Sequence, residues 1–209
     1  MQNIVAGVEL SNPEKVVYFK DNIKKINVAK YYEDISDLML PYLNKRLLRV
    51  IRCHQGVSDA CFFKKHPTTE TKNVQTFMDG SDEYFYVKNK KQIVYQAQMG
   101  TIEFHIWGSK LPKVEKPDII VFDLDPDKGL EISKLRKGVL ILKDTLQQLG
   151  LKSFLKTSGG KGYHIVVPLS CKNWDSCNDF AKQVAEFLEV KYPKLFTTNI
   201  RKASRGGKI

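Results

Sequence analysis

Two carboxylates, one residue apart, follow a short apolar run. An Ile-Ile-Val-Phe run at residues 119–122 leads directly to Asp123 and Asp125, and residues two apart in a strand point to the same side. Ile119 and Val121 precede them on that side, so we expect the strand to leave the core here and present both acids. Two neighbouring carboxylates repel each other and attract a divalent cation, which is the minimum platform for metal-assisted phosphoryl transfer. A plain strand-end turn is the alternative, because Asp-Pro-Asp is also good turn chemistry.

A glycine-rich segment at residues 157–164 reads Thr-Ser-Gly-Gly-Lys-Gly-Tyr-His. Its glycines let backbone N–H groups approach an anion closely, and Ser158, Lys161 and His164 add donors and a positive charge. A nucleoside triphosphate fits this composition. The segment is not a P-loop, because the Gly-x-x-x-x-Gly-Lys-Ser/Thr pattern is absent. The alternative is a hairpin turn that needs glycine only for its backbone conformation.

A single histidine, His105, lies in a segment that alternates with the period of a strand, residues 101–107. Apolar residues fall on one side of this strand, and Glu103, His105 and Trp107 fall on the other. A histidine of this kind, taken alone, is more often structural than catalytic.

Longer periodic segments predict the elements that would hold these residues. We predict helices over residues 27–43, 132–149 and 175–190, and strands over residues 47–51, 101–107, 119–125, 153–156 and 164–169. Asn27 is the expected N-cap of the first helix, and Gly150 is a natural stop for the second. Strands alternating with helices in this way indicate an α/β or α+β sandwich. Residues 1–90 carry too few strong signals to predict a topology.

The charge balance indicates a polyanionic partner. The 209 residues include 34 Lys and Arg against 23 Asp and Glu, a net charge of +11, and nucleic acid is the commonest partner of such a surface. A basic, solvated surface without a partner is the alternative. No apolar run approaches the roughly 20 residues that a membrane span needs, and the first residues do not resemble a signal peptide. We therefore expect a cytoplasmic protein without a membrane partner.

The cysteines do not suggest a structural scaffold. The chain contains four of them: Cys53, Cys61, Cys171 and Cys177. None forms a Cys-x-x-Cys pair, so we do not expect a disulfide-stapled fold. Cys53 and Cys61 crowd one segment with His54 and His66, but their spacing matches no zinc pattern well, and we expect ordinary buried or surface side chains there.

Taken together, these segments resemble the polymerase domain of bacterial end-joining ligase D, a member of the archaeal-eukaryotic primase superfamily. The resemblance covers nearly the whole chain, in the order of the family. The matching segments are Asn12–Lys15, Lys25, Ala29–Tyr32, Arg52 and Cys53 with Gly56, Phe62–Pro67, Gln98–Ser109, Pro117–Pro126, Lys156–His164 and Arg201–Ile209. Any one of these motifs is weak, but so many in one order are highly specific.

The resemblance implies a fold and a domain organisation. The expected fold class is α+β: a primase-like catalytic core with a sheet of RNA-recognition-motif type, flanked by helices, and an N-terminal α/β portion. Residues 1–209 would form one polymerase domain, with an N-terminal subregion at about residues 1–95 and a catalytic subregion at about residues 96–209.

The resemblance also implies catalytic roles. Asp123 and Asp125 would hold Mg²⁺ or Mn²⁺, and His105 would lie beside the ribose and the reacting groups. The residues implied to contact the incoming nucleotide are Ser158, Lys161, His164, Arg205 and Arg52. The implied activity is addition of nucleotides to a primer 3′-hydroxyl, with ribonucleotides preferred over deoxyribonucleotides.

The implied partner is DNA with gaps or double-strand breaks. Asn12, Lys15 and Lys25 match the family's pocket for a 5′-phosphate, and Phe62 and Phe63 would stack on template or terminal bases. Family members fill short gaps and extend ends before ligation during non-homologous end joining, often alongside Ku and a DNA ligase. The expected location is therefore the cytoplasm, in association with the nucleoid.

One departure from the family bears on activity. A third carboxylate follows the family's Arg-rich stretch by a few residues, whereas this sequence ends at Ile209. That carboxylate helps to bind the metal ion at the primer end and aids deprotonation of the 3′-hydroxyl. We therefore expect the chain as given to bind nucleotide and DNA but to polymerise badly.

Two rival functions follow from the same residues. One is a non-catalytic module that binds 5′-phosphorylated DNA ends and nucleotide, for which the N-terminal Lys and Asn cluster would suffice. The other is a phosphatase of the haloacid dehalogenase class, which also has a strand that ends in Asp-x-Asp. Asp127, where that class normally has Thr or Val, and the mid-chain position of the motif argue against the phosphatase.

Overall fold

The structure of the chain is a computed structural model that describes residues 3–67, 73–157, 159–199, 201 and 205–209. The chain divides into two compact units, residues 1–112 and residues 113–209. The structure assigns the strand of His105, which the sequence analysis grouped with the catalytic part, to the first unit, because that strand pairs with another strand of the same unit.

The first unit contains small antiparallel sheets and two helices, of 19 and 9 residues. In chain order its elements are β1 (Ile4–Val5), β2 (Val8–Glu9), β3 (Val16–Tyr18), β4 (Ile23–Lys24), α1 (Lys25–Leu43), β5 (Leu48–Arg52), β6 (Phe62–Lys64), β7 (Gln75–Asp79), β8 (Asp82–Tyr86), α2 (Lys90–Gln98) and β9 (Thr101–Ile106). The pairs β1–β2, β3–β4 and β7–β8 form separate hairpins, and β5 lies between β6 and β9 in a three-stranded sheet.

Apolar faces of α1, α2 and the three-stranded sheet form the core of the first unit. Val50 from β5 and Ile93 from α2 are fully buried in it. Tyr32 adds a polar tie, because its hydroxyl donates a hydrogen bond of 2.6 Å to the Ile102 carbonyl oxygen and so joins α1 to β9. Burial raises the pKa of the Tyr32 hydroxyl, which keeps the donor protonated.

The second unit is a three-stranded antiparallel sheet with two helices. Its elements are β10 (Ile119–Leu124), α3 (Ile132–Gln148), β11 (Phe154–Thr157), β12 (Tyr163–Pro168) and α4 (Trp174–Lys191), and the strand order is β10-β12-β11. Buried side chains of α3 and α4 pack with the sheet residues Ile120, Leu124 and Ile165. The mixture of helices and antiparallel sheets confirms the α+β class.

The predicted helices and strands are confirmed to within one or two residues at their ends, with two corrections. Helix α1 begins at Lys25, and Asn27 is its third residue, where its side chain accepts a hydrogen bond from the Lys24 backbone N–H. On β10, Val121 is 49% exposed, so the side of the strand that carries Val121 faces solvent. The opposite side, with Ile120 and Leu124, faces the core. An unbroken apolar run does not reveal which of its two sides is buried.

Candidate functional site

The exposed face of the second sheet brings three polar side chains into one row, and the sequence predicted two of them, Asp123 and His164, as site residues. Strand pairing places Asp123 opposite His164, and His164 opposite Lys156 on the third strand. Residues directly opposite each other in antiparallel strands point to the same face. His164 Nε2 lies 3.5 Å from Asp123 Oδ1, and the Asp123 side chain is 63% exposed. The row therefore places a carboxylate, an imidazole and an ammonium group side by side on an open surface.

The second carboxylate, Asp125, follows the end of β10 and meets the predicted Arg205. Arg205 Nη1 donates to both the backbone oxygen and the Oδ2 atom of Asp125, at 2.8 Å each. The Arg205 side chain is only 11% exposed, which makes this ion pair stronger than a pair on the open surface. Asp123, Asp125 and Arg205 line one cavity of about 270 Å³.

Asp127 holds the segment that carries Arg205, a role that the sequence analysis missed. Its Oδ2 accepts a hydrogen bond of 2.7 Å from the Gly207 backbone N–H, and its own N–H donates to the Lys208 carbonyl oxygen at 3.0 Å. Backbone N–H donors from Gly207 and Lys128 lower the pKa of the Asp127 carboxyl, which favours its ionised form. The only sequence signal for this role was an extra acid directly after the Asp-x-Asp motif.

The glycine-rich turn approaches the carboxylate strand closely. A Cβ atom on Gly162 would lie 2.5 Å from the Leu124 carbonyl oxygen and 3.3 Å from Asp125 Cα. Only glycine fits between these backbone atoms. Lys161 and the neighbouring glycines line a cavity of about 530 Å³ together with residues 126–130. The predicted Ser158 lies outside the described residues.

The predicted 5′-phosphate residues lie together in the first unit. Asn12, Lys15 and Lys25 line a cavity of about 290 Å³ whose lining contains no Asp or Glu among the residues that the structure describes. Lys15 Nζ donates to the His54 backbone oxygen at 2.5 Å and to Gln55 Oε1 at 2.9 Å. Two ammonium groups without a carboxylate between them make a pocket suited to an anion.

Lys25 is a partly buried lysine of this pocket. Its Nζ donates to the backbone oxygen and hydroxyl of Ser11, at 2.9 and 3.4 Å. Burial lowers the pKa of Lys25, and the nearby charge of Lys15 lowers it further. A bound anion would offset both the burial of the Lys25 ammonium group and its repulsion by Lys15.

The two predicted stacking residues point to opposite faces of β6. Phe63 pairs with Ile51 and Phe62 with Arg52, which are consecutive residues of β5. The Phe63 ring lies 5.8 Å from the His105 ring and 5.4 Å from the Arg49 guanidinium carbon, whereas the Phe62 ring lies 5.2 Å from the His54 ring. The two phenylalanines are thus separate surfaces, and the period-2 alternation of a strand could have predicted this separation.

His105 is on the exposed polar side of β9, as the alternation predicted. Its Nε2 lies 2.9 Å from Glu103 Oε2, and the His105 side chain is 48% exposed.

Arg52 does not lie at the surface. It is 5% exposed, and its Nη2 donates to Gln96 Oε1 at 3.2 Å, which ties β5 to α2. Its burial argues against the expected contact with nucleotide and gives it a place in the interior of the first unit.

Cys53 and Cys61 form a disulfide, which corrects the expectation of ordinary cysteines. Sulfurs joined in this way cannot act as thiolate ligands, so the segment is not a zinc site. Among the described residues, no group of three or more His, Cys, Asp or Glu side chains is arranged to hold a metal ion. Within the same residues, no helix is long and apolar enough to cross a membrane.

Comparison with known proteins identifies one family. A family model described as "LigD, primase-polymerase domain" matches residues 24–209. The chain is 33% identical over 210 residues to the multifunctional non-homologous end joining protein LigD of Pseudomonas aeruginosa, covering 98% of this chain and 25% of that protein. It is 30% identical over 210 residues to the LigD protein of Mycolicibacterium smegmatis, covering 97% of this chain and 28% of that protein.

A solved structure shares the fold. The polymerase domain from Mycobacterium tuberculosis ligase D, in complex with DNA, superposes with a TM-score of 0.88 at 28% identity, covering 96% of this chain and 75% of that chain. The chain spans about a quarter of the length of the two LigD proteins.

Proposed function

The chain belongs to the LigD primase-polymerase domain family, and from this membership we propose that it adds nucleotides to a primer 3′-hydroxyl at DNA gaps or breaks during non-homologous end joining. Nucleotidyl transfer is the general activity of the family, and DNA repair is its setting. The preference for ribonucleotides and the pairing with Ku and a ligase are parts of the proposal.

The observation that carries the proposal is the carboxylate platform at the end of β10. Asp123 stands 63% exposed on an open sheet face beside His164, and Asp125 follows it within hydrogen-bond reach of Arg205. Carboxylate oxygens at a strand end are the donors that Mg²⁺ and Mn²⁺ prefer, so the residues fit such a cation. When bound by Asp123 and Asp125, the cation would neutralise charge on the phosphoryl oxygens.

The basic side chains of the second unit would position the nucleotide. Arg205 offers a planar donor group whose orientation is fixed by Asp125. Lys161 lies in the glycine-rich turn, where backbone N–H groups and an ammonium group together suit a triphosphate. Oriented in this way, the α-phosphorus would receive in-line attack by the primer 3′-oxygen, with pyrophosphate as the leaving group.

The first unit would recognise the other side of the gap. The pocket formed by Asn12, Lys15 and Lys25 has the charge and the size for one phosphate group. A 5′-phosphate on the downstream strand would distinguish a repairable gap from other DNA. Phe63, which is 60% exposed beside Arg49, offers a surface for stacking on a base.

The test is primer extension on gapped, 5′-phosphorylated DNA with Asp123→Asn. The substitution keeps the shape of the side chain but removes the charge that would hold the cation. We expect metal-dependent nucleotide addition to fall by about a hundredfold or more, while affinity for the same DNA stays close to that of the wild-type chain. The measurements are incorporation of ribonucleotides and deoxyribonucleotides with Mn²⁺, and DNA binding by anisotropy.

Asp144→Asn is the matched control, because Asp144 is an exposed aspartate on α3 of the same unit. It should leave both incorporation and binding unchanged. Equal incorporation by the Asp123→Asn and wild-type chains would contradict the proposed catalytic platform.

A second candidate is a binding module for 5′-phosphorylated DNA ends. The observation in its favour is that the lysine pocket belongs wholly to the first unit and needs none of the carboxylates. A wild-type chain that discriminates 5′-phosphorylated from 5′-hydroxyl DNA, yet adds no nucleotide with either metal, would favour this candidate.

A further inference from the structure

The Cys53–Cys61 disulfide joins the end of β5 to the start of β6 and closes residues 54–60 into a loop. Cys53 lines the lysine pocket directly, as do His54, Gln55 and Gly56 from the same loop. The disulfide is therefore part of the structure that surrounds the proposed 5′-phosphate site.

The loop fixes the ammonium group of Lys15. Lys15 Nζ donates to the His54 backbone oxygen and to Gln55 Oε1, at 2.5 and 2.9 Å. Both acceptors belong to the loop, so the position of the Lys15 charge depends on the position of residues 54 and 55.

The loop has other attachments to the unit. Its Val57 N–H donates to the Val17 carbonyl oxygen at 2.9 Å, and Gly56 lies against the Phe19 ring. At its base, the Cys53 N–H donates to the Gly100 carbonyl oxygen at 2.9 Å. At the far end, Phe62 pairs with Arg52 of β5, and the disulfide adds a covalent tie from Cys61 to the anchored Cys53.

The two cysteine residues differ in their access to solvent. Cys53 is 3% exposed, whereas Cys61 is an exposed residue. A small thiol or disulfide reagent can therefore reach Cys61 first, and Cys53 acts as the internal partner. This arrangement suits thiol–disulfide exchange, which proceeds by attack on an accessible sulfur.

We propose that reversible formation of the Cys53–Cys61 disulfide controls how well the lysine pocket recognises a 5′-phosphate. This inference rests on the proposed function, in which that pocket binds the phosphate of the downstream strand. The oxidised chain holds residues 54–60 against the pocket and keeps Lys15 in place. In the reduced chain, strand pairing still holds the two ends of the loop, but residues 54–60 gain freedom, so that the position of Lys15 is less well fixed and must be ordered again at the cost of conformational entropy.

The exchange balances with a low-molecular-weight disulfide as the oxidant. The Cys61 thiolate attacks one sulfur of that disulfide, which forms a mixed disulfide and releases one small thiolate. The Cys53 thiolate then attacks Cys61 Sγ and displaces the second small thiolate. Two protein thiols are oxidised, one small disulfide is reduced to two thiols, and the two protons pass to the released thiolates. A dithiol reductant reverses the sequence: one of its thiolates attacks Cys61 Sγ and expels the Cys53 thiolate, and its second thiolate then attacks the reductant's own sulfur in the mixed disulfide, which releases the Cys61 thiolate and the cyclic oxidised reductant.

The experiment compares the oxidised and reduced forms of the full chain on two DNAs that differ only in a 5′-phosphate or a 5′-hydroxyl at the gap. Alkylation after denaturation, followed by intact mass, should count two reactive thiols in the oxidised form, Cys171 and Cys177, and four in the reduced form. We expect the ratio of the two DNA affinities to be roughly threefold to tenfold higher for the oxidised form, because one charge-assisted contact becomes better positioned.

Two cysteine variants complete the design. Cys61→Ser removes the exposed sulfur without opening the core, and should show the low affinity ratio under both conditions. Cys171→Ser removes an unrelated cysteine of the second unit, and should respond to oxidation as the wild-type chain does.

The outcomes distinguish a failure of the phosphate pocket from a failure of its redox control. An oxidised wild-type chain that binds both DNAs equally would remove the phosphate pocket of the proposed function. Discrimination that is the same in the oxidised and reduced forms would overturn only the redox control. Four reactive thiols after the oxidising treatment would also overturn it, since the disulfide would then not form.

Discussion

At the scale of single residues, the positive charge of Lys25 in the lysine pocket is unfavourable until an anion binds there. Lys25 is partly desolvated and lies near the charge of Lys15, and both effects lower its pKa. The pocket therefore holds positive charge under neutral conditions against a penalty, as expected for a site that binds an anion.

This shift predicts a pH dependence of phosphate recognition. A lowered pKa means that Lys25 loses its proton at a lower pH than an ordinary lysine, so its positive charge disappears earlier as pH rises. We expect the preference for 5′-phosphorylated DNA to decline as the pH rises, and to begin declining at a lower pH than the deprotonation of an ordinary lysine would cause. Lys25→Arg keeps its charge as the pH rises and should retain the preference to higher pH. Anisotropy titrations with both DNAs at constant ionic strength test this, and identical pH profiles for the two chains would contradict it.

A second prediction at this scale concerns Gly162. A methyl group there would meet backbone atoms of Leu124 and Asp125, which cannot move aside as a side chain could. Gly162→Ala should displace the carboxylates and lower nucleotide addition by about a hundredfold. Gly150→Ala serves as the control: its φ of +73° strains alanine, a strain that Gly162 does not share, but no atom lies within 4 Å of its added Cβ. Similar activity in both variants would show that the close approach is unimportant.

The residue scale also shows what the sequence could and could not predict. The partners of Asp123 were proposed from motifs, but Lys156 was missed because its place in the row depends on the pairing of β11 with β12. The burial of Arg52 was missed because its partner, Gln96, is 44 positions away in the chain. The Cys53–Cys61 disulfide likewise depends on β5 and β6 being neighbours. Contacts set by strand pairing cannot be read from local spacing.

At the scale of elements, α3 supports the carboxylate strand. Its stripe of buried residues packs in the same core as Ile120 and Leu124 of β10. The period of this helix was predictable because its apolar residues recur every three or four positions. The buried side of β10 was not, because apolar side chains occur on both sides of that strand.

The same helix offers a matched pair of substitutions. Leu142 is 2% exposed and Leu140 is 57% exposed. Leu142→Ala should lower the free energy of unfolding by about 2–5 kcal/mol, because it leaves a cavity in the core. Leu140→Ala should change it by about 0.5 kcal/mol or less. Urea denaturation monitored by circular dichroism would measure both, and equal effects would contradict the assigned faces of α3.

At the scale of the whole molecule, the surplus of positive charge determines how the chain should interact with the phosphate backbone of DNA. A chain with a net charge of +11 should bind DNA mainly through its phosphates and release counterions on binding.

This charge predicts a strong dependence of affinity on salt. The logarithm of the association constant should fall linearly with the logarithm of salt concentration, with a loss of about tenfold or more between 50 and 200 mM. The slope should be nearly the same for gapped and intact duplexes. The presence of a 5′-phosphate should change the affinity by a smaller factor than the change in salt does. An affinity that is independent of salt would argue that the basic surface does not contact the DNA backbone.

Each unit contains a sheet in which one strand has a neighbour on both sides: β5 between β6 and β9, and β12 between β10 and β11. Amide protons of a central strand exchange with solvent only when the sheet opens widely, whereas those of edge strands exchange after local fraying. Deuterium should therefore reach β5 and β12 last within their units. His164 lies on β12, and Cys53 directly follows β5. The backbone next to both sites should therefore stay hydrogen-bonded when the edge strands open locally.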